Sequence, residues 1–216
     1  MTNIIGGGSH SDSGGTTVTA SVSITVSGGD VTGEIYAKGN LDGDTVTDQA
    51  YVTFAGAKDY HCSVFGYSYA GTSDNGDALI FADYTGAFSG MIGGFNTIEF
   101  VGGTAMTLAA AADVSNSDWK FDVAERSETL TNKEMLYWEN ADFTNDTIKL
   151  NLAVGSSSEW TLVDAATTAY GRFDVLVNGE SILPDTIALD EAIVGGDYDG
   201  WGFALEDSFL KFKHLA

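Results

Sequence analysis

One cysteine, Cys62, stands in a chain of 216 residues, so no internal disulfide can form and stability must come from packing or from a metal. A single cysteine does not fix the redox compartment. Basic residues are equally scarce: 9 Lys and Arg face 31 Asp and Glu, for a formal net charge of −22. So acidic a chain has too few cations to neutralise phosphates, which excludes nucleic acid and anionic membrane as partners and favours cation binding and high solubility. No run of 18 apolar residues occurs, so no transmembrane helix is expected, and Met1-Thr2-Asn3 opens without the charged and apolar regions of a signal peptide. Tryptophan is missing from the first hundred residues. Trp119, Trp138, Trp160 and Trp201 all follow, whereas 18 of the 27 glycines precede residue 101.

Apolar residues make up 44% of the sequence, enough to bury a core. In the first half they recur. Ile4-Ile5-Gly6-Gly7-Gly8, Ile35-Tyr36-Ala37-Lys38-Gly39, Val64-Phe65-Gly66-Tyr67 and Met91-Ile92-Gly93-Gly94 each place an apolar pair before small residues. Repetition at intervals of this length is the signature of a solenoid. Between the pairs, Val22-Ser23-Ile24-Thr25-Val26 and Val52-Thr53-Phe54 alternate apolar with polar, as half-buried strands do. A shift of 28 residues aligns Ile24 with Val52 and Ile80, and Tyr36 with Val64 and Ile92. Gly28-Gly29, Gly56, Gly86 and Gly90 then fall between strands, where sharp turns and positive φ are expected. The period predicts a parallel β-helix; a hairpin meander satisfies the alternation as well, because a two-residue period does not report strand direction.

The repeat resembles the glycine-rich units of bacterial autotransporter passenger domains and AIDA-type surface adhesins. Val22-Ser23-Ile24-Thr25-Val26-Ser27-Gly28-Gly29-Asp30-Val31-Thr32-Gly33-Glu34-Ile35-Tyr36 follows that pattern of alternating strand, Ser-Gly-Gly turn, spacer and Ile-Tyr pair. Later units depart from it, with Ala55-Gly56-Ala57 at the turn and Phe65-Gly66-Tyr67 in place of a glycine triplet. The resemblance covers roughly residues 4 to 100. It implies an all-β, right-handed parallel β-helix with a C-terminal β-rich cap, on the bacterial cell surface or outside the cell, serving as a non-catalytic adhesin that binds a host protein or glycan, or as a rigid spacer. Residues 1–100 are read as β-helix repeats and 101–216 as their continuation and an aromatic-rich cap. Strands are expected at 96–101, 118–123, 148–154, 160–163, 173–177 and 209–212, with Trp201-Gly202-Phe203-Ala204-Leu205 in the closing region. Ala109 to Ala112 and Glu125 to Trp138 are alternatives for short helices. Because Ile4 to Gly8 reads as the end of a unit, the chain is expected to be cut from a longer surface protein, with Met1 supplied for expression.

Chemistry has few footholds. Asp42, Asp44 and Asp48, and one turn later Asp74, Asn75 and Asp77, offer closely spaced oxygens of the kind Ca²⁺ accepts. Neither group matches the twelve-residue calcium loop or the glycine-rich nonapeptide, so solvated acidic loops are the preferred reading and no cofactor is expected beyond a possible Ca²⁺. Asp197-Tyr198-Asp199-Gly200 reads as a turn before Trp201. Tyr36, Tyr67 and Tyr69 are the candidate ligand-contacting rings. Polysaccharide-active β-helix enzymes are the alternative class, but only Lys38 and Lys58 are basic before residue 101, and the His-Gly, Arg-x-Lys and Asn-Thr-Asp runs of pectin hydrolases are missing. Asp59, His61 and Cys62 lie together, yet alternation sends His61 and Cys62 to opposite faces. Ser156-Ser157-Ser158 reads as loop, and the single Thr17-Val18-Thr19 run is too little for an ice-binding ladder.

Overall fold

The computed structural model describes residues 3–7, 17–39, 45–67, 76–109, 112–113 and 117–215. The chain folds as a parallel β-helix, a β-solenoid of about five turns. It divides into two compact units: residues 1–99 with 109–114, and residues 100–108 with 115–216.

In the first unit every described pairing between strands is parallel, which excludes the hairpin meander there. Ile4–Ile5, Ile35–Tyr36, Val64–Phe65, Ile92–Gly93 and Ala112–Asp113 form one ladder. Val22–Val26, Ala50–Gly56 and Gly76–Tyr84 form a second. Thr45–Val46, inside a segment expected to be loop, pairs instead with Thr17–Val18. The register departs from a constant 28 residues. Ile24 lies against Val52 as expected, but Val52 lies against Leu79, not Ile80. Tyr36 meets Phe65, and Val64 meets Ile92. Two adjacent apolar residues at each of these places leave the inward position undetermined by alternation, and a slip of one residue reverses the faces. Ile92 is fully buried and Met91 is 48% exposed, so the fourth apolar pair begins one residue later than its sequence echo.

In-register pairing stacks like on like. Phe54 sits against Phe81 with centroids 5.8 Å apart and planes 22° from parallel, and Tyr60, Tyr84 and Phe88 complete an aromatic core around them. Of the glycines expected to turn the chain, Gly29 and Gly56 do adopt positive φ, at 75° and 87°. Gly86 and Gly90 do not; they are required because one turn lies against the next. A Cβ there would come within 2.3 Å of the Lys58 carbonyl oxygen and 1.8 Å of the Cys62 carbonyl oxygen.

The second unit continues the same logic with longer strands. Asp118–Asp122, Asn140–Leu152 and Thr167–Val177 pair in parallel, as do Met106–Leu108, Leu136–Tyr137 and Trp160–Asp164. The Glu125 to Trp138 segment forms no α-helix: a single 3-10 turn, Glu128–Leu130, precedes the strand Leu136–Tyr137; of the other segment offered as a helix, Ala112 belongs to a strand and Ala110 and Ala111 lie outside the described residues. At the C-terminal end the direction reverses. Phe209–His214 runs antiparallel to Trp160–Asp164 and forms a hairpin with Trp201–Glu206. Glu180–Ser181 folds back antiparallel on Thr167–Val177. The loop before Trp201 then shields the outer strand: the Asp190 N–H donates to the Phe203 carbonyl at 2.8 Å and the Ile193 N–H to the Trp201 carbonyl at 2.7 Å. Antiparallel closure of this kind covers part of the outer edge of the ladder. Phe173, Phe203, Phe212 and Trp201 fill the space beneath it, Phe173 stacking on Phe203 at 4.5 Å.

Candidate functional site

The acidic loops do not assemble into a site among the described residues. Asp42, Asp44 and Asp74, like Asn75, lie outside them. Asp48 is exposed and accepts a hydrogen bond from the Ser21 hydroxyl at 3.0 Å. Asp77 accepts the backbone N–H of Ala50 at 2.6 Å. Each carboxylate therefore joins one turn to its neighbour, a structural duty suited to the lower edge of a strand. Among the described residues no three His, Cys, Asp or Glu side chains converge to hold a metal ion.

Of the three candidate tyrosines, the first is placed differently from expectation. Tyr36 is 4% exposed, its ring stacked on Phe65 at 5.2 Å and its hydroxyl donating to Glu34 at 2.6 Å. The ring is thus a rung of a buried ladder, not a displayed surface, because the Ile-Tyr strand turns both residues away from solvent. Phe65 stacks in turn on Tyr67 at 5.1 Å, and Tyr67 is half-buried. Tyr69 lies outside the described residues.

Alternation works as expected at Tyr60-His61-Cys62. Cys62 is buried, with its thiol pushed up by desolvation, while His61 is exposed and its Nδ1 lies 2.5 Å from the Ser89 hydroxyl. Asp59 accepts the Ala87 N–H at 2.8 Å, and Lys58 pairs with Asp30 at 2.7 Å. Asp59, His61 and Ser63 each bond the neighbouring turn, whereas the Tyr60 hydroxyl is buried with no hydrogen-bond partner among the described residues.

The surface the sequence did not reveal lies in the cap. Val177 and residues from three further stretches of the second unit, around Val154, from Ile182 to Ile187, and from Glu191 to Tyr198, enclose a groove of about 540 Å³. Its floor is apolar: Ile187, Ile193 and Tyr198 are buried there. Its rim is apolar as well, with Val194 92% exposed, Val154 72% and Ile182 42%. The carboxylates of Asp185, Glu191 and Asp197 punctuate it, and no Lys, Arg or His lines it.

Local folding fixes each wall. Ile187 and Phe173 exchange backbone hydrogen bonds at 2.9 and 3.0 Å, and the Ile182 N–H donates to the Val175 carbonyl at 3.0 Å. Arg172 forks onto Thr186, its Nε donating to the hydroxyl at 2.9 Å and its Nη2 to the carbonyl at 2.6 Å. Opposite, Glu191 accepts the Ala188 N–H at 2.8 Å, and Asp199 accepts the Gly195 N–H at 2.6 Å, closing the loop as the turn expected before Trp201. The Tyr198 hydroxyl is raised by burial and then by the Asp197 charge. Three of the five exposed large apolar side chains among the described residues, Val154, Ile182 and Val194, gather at this groove, the other two being Met91 and Leu205. Chemically the groove can take up apolar groups and attract a neighbouring positive charge. No family model, curated protein or solved structure matches the chain.

Proposed function

We propose that this chain is a non-catalytic, surface-exposed binding module, a β-solenoid of the autotransporter-passenger kind whose cap carries the contact surface. The observation that carries the reading is the cap groove, pre-formed by backbone hydrogen bonds and edged by exposed Val154, Ile182 and Val194. Such a surface gains free energy when a partner covers it, and little ordering is lost because the walls are already set. The repeat pattern supports display outside a bacterial cell, and the net charge of −22 favours high solubility there.

Between the two partner classes, protein suits the groove better than glycan. Sugar rings are gripped by exposed aromatic faces, and the groove's one aromatic residue, Tyr198, is buried to 5% exposure. The aliphatic rim matches apolar side chains. The test is incubation with polygalacturonate and other acidic polysaccharides, followed by assays for reducing ends and unsaturated products. No turnover is expected, and sustained turnover would replace the binding reading with the β-helix enzyme reading.

A further inference from the structure

Resting on that reading of the groove as a contact surface, we infer that its partner is a peptide segment of a different protein in which apolar side chains alternate with Lys or Arg. Two independent features select this occupant. The first is the apolar lining: buried Ile187 and Ile193 below exposed Val154, Ile182 and Val194 accept aliphatic side chains and exclude water around them. The second is the charge pattern. Asp185, Glu191 and Asp197 border that lining with no cation among the lining residues, and the carboxylates of Asp185 and Asp197 accept no hydrogen bond from any described residue. Glu191, itself exposed, accepts the Ala188 N–H on Oε2 alone. Carboxylates flanking an apolar trough leave local negative charge that a partner's ammonium or guanidinium would offset.

A second copy of this chain fits poorly. Each copy carries a net charge of −22, so burying the rim carboxylates against another such surface would add repulsion to desolvation. The same charge raises the opposite hazard, that any cationic peptide gathers on the protein without using the groove. The experiment has to separate the two.

Fluorescence anisotropy on the whole chain would use three labelled synthetic peptides: alternating Leu and Lys, alternating Leu and Glu, and alternating Ser and Lys. Only the Leu/Lys peptide is expected to bind measurably, with affinity falling as salt rises. Val194→Asn, at a side chain too exposed to support the fold, and the double variant Asp185→Asn/Asp197→Asn should each weaken it about tenfold or more, within the range for contact-centre groups. Glu125→Gln/Glu139→Gln removes the same charge from exposed positions outside the groove and should leave affinity unchanged. Equal losses from the two double variants would mean attraction to overall charge and would overturn the inference. So would equal binding of Leu/Lys and Leu/Glu peptides, or a dimer in sedimentation equilibrium that Val194→Asn dissolves. Failure of every peptide with no polysaccharide turnover would end the peptide inference alone and leave the binding-module reading standing.

Discussion

The indole nitrogen of Trp119 donates to Asp146 Oδ2 at 3.0 Å, joining a fully buried ring on one strand to a carboxylate on the next that is only 6% exposed. The other oxygen, Oδ1, accepts the Ser117 N–H at 2.9 Å. Asp146 can reach both because the register between Asn140–Leu152 and Thr167–Val177 shifts between Phe143 and Thr147, and this irregularity turns the side chain towards its neighbour. Replacement by Leu strands both donors in the interior. Asp146→Leu is therefore expected to cost about 3 kcal/mol, with Asp146→Asn losing less because its amide oxygen still accepts. Denaturant titration followed by Trp fluorescence measures both.

The same irregularity dictates a glycine. A Cβ on Gly171 would lie 2.3 Å from the Asp146 carbonyl oxygen and 2.6 Å from that of Phe143, both backbone atoms with no room to yield. Gly28 meets nothing within 4 Å and has no left-handed φ to preserve. Gly171→Ala should destabilise by about 2–4 kcal/mol, an overpacking cost, whereas Gly28→Ala should shift stability by only about 0.5 kcal/mol. Thermal melts of the two variants side by side test the contrast.

What the sequence disclosed, and what it hid, follows from these same contacts. Parallel stacking was legible because inward positions repeat from turn to turn, so Ile24 and Val52 announce their pairing. Parity was not legible at Leu79-Ile80-Phe81 or Met91-Ile92, where consecutive apolar residues make both faces plausible and only the packed core selects one. Closely spaced acidic residues suggest ligands or solvated loops, but Asp48 and Asp77 bond the turn below, a partner 27 residues away that no local motif marks. The cap groove left no signature because its walls come from Val154, Ile182–Ile187 and Glu191–Tyr198, which meet only through the antiparallel closure.

Arg126 lies 5% exposed and opposes no carboxylate in any ion pair among the described residues. Its Nη1 donates to the carbonyls of Gly102 and Thr104 at 2.8 and 2.7 Å, and its Nη2 to that of Lys133 at 3.1 Å. The planar fork thus ties two other backbone segments of the second unit, Gly102–Thr104 and Lys133, to its own, and burial pulls the guanidinium down from its usual value. Lysine supplies one compact charge and cannot span three acceptors. Arg126→Lys is expected to cost about 2–3 kcal/mol, and Arg126→Met a similar amount through the unpaired carbonyls, measured by chemical denaturation.

Acid sensitivity should concentrate in the closing hairpin. Glu206 accepts from Lys211 at 2.8 Å and Lys213 at 2.5 Å across one face, and these hydrogen bonds lower its carboxyl from 4.5 to about 2. A carboxyl depressed on folding stabilises the folded state above its unfolded value, and the contribution disappears as pH falls from 4.5 through about 2. Lys213 is raised by the same partner, so its share is present at neutral pH and fades only on the alkaline side. The difference in Tm between the native chain and Glu206→Gln should be present at pH 7 and shrink towards zero across the acid window. A gap that stays constant to pH 2 would show that the pair does not couple to folding. Added salt should narrow the gap at neutral pH, since all three side chains are partly exposed.

Position along the stack should govern what one isoleucine is worth. Ile24 belongs to Val22–Val26, which among the described residues pairs on one side only, with Ala50–Gly56, and its side chain is half-buried. Ile98, also in the first unit, is fully buried. Truncation removes the same atoms at both sites but leaves a cavity only where the neighbours cannot close in. Ile98→Ala is expected to cost about 3–5 kcal/mol and Ile24→Ala about 1 kcal/mol. A solenoid distributes its stability along neighbouring turns, so fraying should begin at the half-covered strand. Hydrogen exchange should accordingly show the amides of Val22–Val26 exchanging ahead of those of Gly76–Tyr84, and Ile24→Ala should widen that difference without changing exchange at Ile98.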